Sequence, residues 1–169
     1  ESSGFRSLAV QQGTDLERDF RSLSERVNAL RQTQTERIES LVAEANGLIQ
    51  QIDDLNTRIV QLEYAGLSTS DAGSARSERY QSLDRLAQIL PIRFREQANG
   101  AVDVFSDADF LVLSGEIQQL EIVGTGSGSD GFRIELSTTR HDLSRSGGEI
   151  RGLIEGRDEV LGGFLGQLD

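Results

Sequence analysis

The sequence predicts an α+β fold: a long antiparallel, coiled-coil-like helical trunk with a small, mostly antiparallel β unit inserted between helices. Three observations carry it. An apolar stripe advances in alternating steps of four and three residues from Leu16 to Leu62. A period of two then begins right after Pro91, the only proline, and a helical period returns after Gly147-Gly148.

The stripe runs through Leu16, Phe20, Leu23, Val27, Leu30, Gln34, Ile38, Leu41, Ala45, Leu48, Ile52, Leu55, Ile59 and Leu62. A step near 3.5 keeps these residues on one side of a helix, the arrangement by which helices wrap around one another. The predicted packing seam is therefore Leu16, Phe20, Leu23, Val27, Leu30, Ile38, Leu41, Leu48, Ile52, Leu55, Ile59 and Leu62, on a helix over about 14–65. Two successive steps of four, at Leu30, Gln34 and Ile38, form a stutter inside Gln32-Thr33-Gln34-Thr35 and predict local unwinding or a bend. About 50 residues at roughly 1.5 Å each make a helix of about 75 Å.

Small and polar residues from Ala65 to Gly73 predict a chain reversal. A second helix follows over about 72–90, capped by Asp71 or Ser74, with Tyr80, Leu83, Leu86, Ala87 and Leu90 on its apolar side and Pro91 as its stop. Residues 1–90 thus form the helical trunk. Residues 91–147 form the β unit: Ile92 and Phe94 alternate with Arg93 and Arg95, Asn99-Gly100 supplies a turn, and Val102 and Val104 resume the alternation. Further strands are expected at 110–113, 117–123 and 132–136. With breakers at both ends, the unit should have neighbouring termini, and its excision should spare the helices. A last helix, 148–169, is expected to pack back on the trunk. Its Gly148, Gly152 and Gly156 recur every fourth residue and predict a close helix contact, since each internal glycine costs about 1 kcal/mol of helix propensity and needs a packing reason.

Charge and composition narrow the function. The 17 cations, all arginine, face 28 carboxylates for a net charge of -11, which disfavours a nucleic acid or an anionic membrane as partner. Absence of cysteine removes disulfides, zinc-thiolate sites and thiol nucleophiles. No apolar run approaches the roughly 20 residues of a membrane span, and Glu1-Ser2-Ser3 opens no signal peptide. With no initiator Met, the sequence is expected to be a fragment of a longer chain. His141, the only histidine, sits in a polar loop and is expected to be solvated. The glycine-serine run Gly124 to Gly131 precedes a strand pattern rather than a helix and is expected to be a hairpin loop, not a phosphate cradle. Asp107-Ala108-Asp109 and Asp130 lack the ligand spacing of a calcium loop and read as solvated turns. No catalytic, cofactor-binding or metal-ligating residue is predicted, and the chain is not expected to be an enzyme.

Several segments resemble a known family. The run from Gly148 to Leu161, Gly-Glu-Ile-Arg-Gly-Leu-Ile-Glu-Gly-Arg-Asp-Glu-Val-Leu, with the closing Gln167-Leu168-Asp169, is similar to the flagellar hook-associated family, in particular its hook-filament junction branch. Val10-Gln11-Gln12-Gly13, Ile52-Asp53-Asp54-Leu55-Asn56-Thr57-Arg58-Ile59, Leu83-Asp84-Arg85-Leu86 and Asn99-Gly100-Ala101-Val102-Asp103-Val104 follow the same order. The chain departs from the family pattern at Arg79-Tyr80, where an Arg-Asp pair is common, and at Ser74-Ala75. The resemblance implies an extracellular structural subunit of the bacterial flagellum, exported without a cleavable signal and assembling between hook and filament. It implies other copies of itself and neighbouring axial proteins as partners, with an export chaperone engaging regions outside this fragment.

On the residues alone a second class stays open: a generic coiled-coil adaptor or adhesin-like binding module with a β head. The two differ in solution. A junction fragment without terminal polymerisation segments should be monomeric, whereas a free-standing adaptor would share its seam between chains.

Overall fold

The computed structural model describes residues 2–64, 69–124 and 131–168. The fold is α+β. Two helices come first, α1 (Ser2–Tyr64) and α2 (Thr69–Ile89). Six strands follow: β1 (Arg93–Glu96), β2 (Val102–Ser106), β3 (Asp109–Leu113), β4 (Glu116–Ile117), β5 (Leu120–Gly124) and β6 (Phe132–Leu136). The chain closes with α3 (Gly148–Glu155), a π-helical stretch (Gly156–Leu161) and α4 (Gly162–Leu168). Two compact units are present, residues 38–153 in one and residues 1–37 with 154–169 in the other. The expected reversal at 65–68 and the glycine-serine loop at 125–130 lie outside the described residues.

Within the 38–153 unit, α1 and α2 run antiparallel. Glu63 pairs with Arg76, Leu55 and Ile59 cluster with Ala75, Asn56 meets Arg79, and Glu44 meets Arg85, so rising numbers on one helix meet falling numbers on the other. The buried face of α2 is Ala72, Ala75, Arg79, Ser82, Leu83, Leu86 and Ile89. Tyr80 and Ala87, expected on that side, are exposed. A stripe read through Tyr80 is one position off, because the side chain filling that turn of the buried face is the guanidinium of Arg79. Helix α2 also starts three residues before the expected 72, with Asp71 inside its first turn, where a carboxylate favours the helix dipole.

Helix α1 is unbroken through the stutter. There Thr33 and Thr35 donate their hydroxyls to the carbonyls of Ala29 and Arg31 four residues back, at 3.1 and 3.0 Å, so these polar side chains are satisfied within the helix.

The β unit forms two sheets. Strands β1 to β4 make an antiparallel meander in sequence order, and β5 pairs with β6 as a separate hairpin. The expected strand at 117–123 is divided: Gln118 and Gln119 leave the ladder, Ile117 pairs with Val112 in the first sheet, and Leu120 pairs with Leu136 in the second. Gln118 holds the break, its Nε2 donating to Phe110 O and its Oε1 accepting from Thr139 N. The expected single C-terminal helix is interrupted as well. Gly162 N donates to Arg157 O, five residues back, which is the hydrogen bond of a π turn.

The core consequence is testable. Leu55 is buried against Ile59 and Ala75, so Leu55→Asp places an unpaired charge in the core and should cost several kcal/mol in urea unfolding. Leu48 is half-buried, and its Asp variant should cost about 1 kcal/mol. Equal losses would put the core on the wrong side of α1.

Candidate functional site

Polar side chains of the helices fasten both sheets to α1. Asn56 Nδ2 donates to Val102 O at 2.8 Å and Asn56 Oδ1 accepts from Val102 N at 2.9 Å, so one amide reproduces a strand pairing at the first residue of β2. Asn46 does the same for the first residue of β5, donating to Leu120 O at 2.9 Å and accepting from Leu120 N at 2.8 Å. Asparagine is a poor residue inside a helix, and these contacts give the reason for two of them in α1.

Arg79 completes the first clamp. Its side chain is 0% exposed; Nη1 donates to Asn56 Oδ1 at 2.9 Å and to Gly100 O at 2.7 Å, and Nη2 reaches Glu96 at 3.3 Å. Burial lowers its pKa, while Glu96 and Tyr80 oppose the drop. Tyr80, beside the guanidinium, packs edge-on against Phe94 of β1 at 6.3 Å between ring centres. Excising 91–147 would remove the strand partners of both asparagines and the Gly100 and Glu96 acceptors of Arg79.

A second junction ties α3 to α2. Gly148, at φ +73, lies so close that an added Cβ would stand 2.7 Å from the carbonyl carbon of Ile89 and 2.8 Å from Cα of Leu90. Beside it, Arg85 grips Glu44 with two hydrogen bonds of 2.6 and 2.8 Å and reaches Glu149 at 3.4 Å, joining α1, α2 and α3. The bonds to Glu44 raise the arginine's pKa further. By contrast, a Cβ at Gly152 or Gly156 would meet nothing within 4 Å among the described residues. The expected glycine strip is a close contact at Gly148, and there with the end of α2; in the π-helical stretch after Glu155 the buried residue is Arg157.

The seam residues fall into three groups. Val27, Ile38, Leu41, Ile52, Leu55 and Ile59 are buried, Leu48 and Leu62 half-buried, and Leu16, Phe20, Leu23 and Leu30 exposed. Val42, Ala45 and Ile49 are buried too. Helix α1 is covered by α2 and also fastened to β2 and β5, and a helix with several neighbours needs a wider apolar face than a two-per-heptad seam.

Elsewhere, His141 is half-buried rather than solvated, with Nδ1 3.3 Å from Asp109 and Nε2 3.9 Å from Asp107. Among the described residues no group of His, Cys, Asp or Glu is arranged to hold a metal ion, and no helix is long and apolar enough to cross a membrane. A groove of about 430 Å³ between α1 and the β1–β2 hairpin is lined by Asp53, Asn56, Asn99 and Asp103 among others. One oxygen of Asp53 is buried there without a hydrogen bond, and burial, then Asp54, raises its pKa.

That shift gives a signed pH effect. A carboxyl whose folded pKa exceeds its unfolded value favours folding fully only below the unfolded range, and the benefit is lost as pH rises through the folded pKa. Asp53→Asn should therefore stabilise the chain at neutral pH, by about 1 kcal/mol at most, and leave it unchanged below about pH 4. Thermal melts at the two pH values check both halves.

These contacts define a helical structural domain whose β insertion is locked to its helices by two side-chain amides and one buried guanidinium. The family described as flagellar hook-associated protein FlgK helical domain matches residues 1–169, and the chain belongs to it. Among solved structures it is similar to the flagellar hook junction protein FlgK from Burkholderia pseudomallei, at 22% identity and a TM-score of 0.46, over 80% of this chain. The chain spans 26% of that protein's length. No curated protein matches.

Proposed function

We propose that this chain is the helical domain of a structural subunit that joins hook to filament in the axial assembly of the bacterial flagellum. The observation that carries the reading is the family match over the whole chain. Contacts between the segments of resemblance support it: Asn56 of the 52–59 segment holds Val102 of the 99–104 segment, and Arg85 of the 83–86 segment reaches Glu149 of the 148–161 segment. In this role the subunit works outside the cell, exported without a cleavable signal. Other copies and adjoining axial proteins are its partners, and an export chaperone binds regions beyond these residues. It has no catalytic step.

The genetic test uses the source bacterium. Deleting the gene should leave hooks without filaments and release filament subunits into the medium; the intact gene should restore motility. Normal filaments in the deletion strain would reject the role.

Oligomeric state separates this reading from an adaptor coil. The isolated fragment should sediment as a monomer from about micromolar to tenth-millimolar concentration, the range in which useful coiled-coil affinities would appear. A tight dimer throughout would favour the adaptor.

A further inference from the structure

We propose that Asn99 is a site of spontaneous covalent modification, losing its side-chain amide through a succinimide formed with the backbone nitrogen of Gly100, and that the product loosens the Arg79 clamp. The reaction needs only water. Gly100 N bonds to Asn99 Cγ, the Cγ–Nδ2 bond breaks, and ammonia leaves with the proton from Gly100. Water then opens the ring at either carbonyl, giving aspartate or isoaspartate.

The chain holds two Asn-Gly pairs, and the structure treats them oppositely. Asn46 lies within α1 with both amide atoms bonded to Leu120, so attack by Gly47 needs those bonds and the helix to open. Asn99 is exposed in the loop between β1 and β2, and its Nδ2 makes no hydrogen bond among the described residues. Its Oδ1 accepts from Ala101 N at 3.1 Å, a donor placed to polarise the carbonyl and to stabilise the oxyanion formed on attack. Glycine at position 100, with φ +83, offers no side chain to obstruct the approach. Among the described residues, the bond that holds the attacking nitrogen is the turn bond from Gly100 N to Gln97 O, 3.0 Å.

The consequence follows from the same loop. Gly100 O is an acceptor of the buried Arg79. Isoaspartate inserts a methylene into the main chain just before Gly100 and shifts that oxygen away from the guanidinium. Either product adds a carboxylate to the groove that Asp53 and Asp103 already line. Like charges there repel, and the hairpin is pushed off the helices.

The folded chain is incubated at mildly alkaline pH, and its tryptic peptides 96–133 and 38–58, which carry Asn99 and Asn46, are followed by tandem mass spectrometry. Isoaspartate is counted by enzymatic methylation, and a urea-unfolded sample runs in parallel. Asn99 should react about tenfold or more faster than Asn46 in the folded chain, the margin that two retained hydrogen bonds give. The two rates should converge in urea. The thermal midpoint should fall as the modified fraction grows, while an Asn99→Ser variant, which keeps the short polar turn residue, should keep its midpoint through the same incubation. Equal rates at the two sites in the folded chain, or an Asn99 that reacts only in urea, would overturn the site. A modified chain with an unchanged midpoint would overturn its effect on the clamp.

Discussion

Arg79→Met should cost about 3 kcal/mol of stability and lower the thermal midpoint by about ten degrees, the largest loss expected from a single polar side chain in the 38–153 unit. Arg79 is wholly buried, and its removal leaves Gly100 O without its donor and Asn56 Oδ1 with one of two. A buried acceptor stripped of its partner loses about 1–3 kcal/mol, and the Met side chain recovers part of the volume. The ion pair to Glu96 contributes little, because that carboxylate is 42% exposed and screened. Glu96→Gln should therefore shift the midpoint only slightly, and Arg79→Lys should fall between, keeping a charge but not the planar fork that spans two acceptors. Differential scanning calorimetry of the three variants ranks them. If Glu96→Gln matched Arg79→Met, the surface pair rather than the buried fork would be holding the hairpin.

Gly148→Ala should cost about 2–4 kcal/mol, and Gly148→Val more. Two effects add: a left-handed φ that costs an L-residue about 1–2 kcal/mol, and a Cβ driven into the backbone of Ile89 and Leu90. Backbone at the end of α2 cannot yield as a flexible side chain would. Gly152→Ala, in open space on the same helix, should be neutral or stabilising by up to about 1 kcal/mol, since alanine is the better helix former. Urea midpoints of the pair separate close packing from helix propensity. Similar losses at both positions would mean that Gly148 acts only through the helix it starts.

The contrast between these glycines shows what a sequence discloses. A spacing of four marked Gly148, Gly152 and Gly156 alike, yet the tight contact at Gly148 arises from chain entry and a positive φ, which periodicity does not encode. Period and breakers were enough for the order of elements: the stripe of α1, the stop at Pro91, the hairpin around Asn99-Gly100 and the helix after Gly147-Gly148 all fall where the pattern changes. The division between β4 and β5 was hidden, because Gln118 and Gln119 look like ordinary strand surface until a helix asparagine and a distant loop claim their neighbourhood. Asn46 and Asn56 were legible in principle as poor helix formers beside the apolar stripe. Arg79 was harder: it stands four residues from both Ala75 and Leu83, in line with the buried face, but an arginine there reads as a solvated charge unless its long-range acceptors are known.

Electron microscopy of immunogold-labelled flagella from the source bacterium, with antibody raised against residues 38–153, tests the central claim most directly. The account predicts label confined to a short zone between hook and filament, absent from both shafts and restored only with the intact gene. Label spread along the filament, or on the cell body with bare junctions, would contradict it.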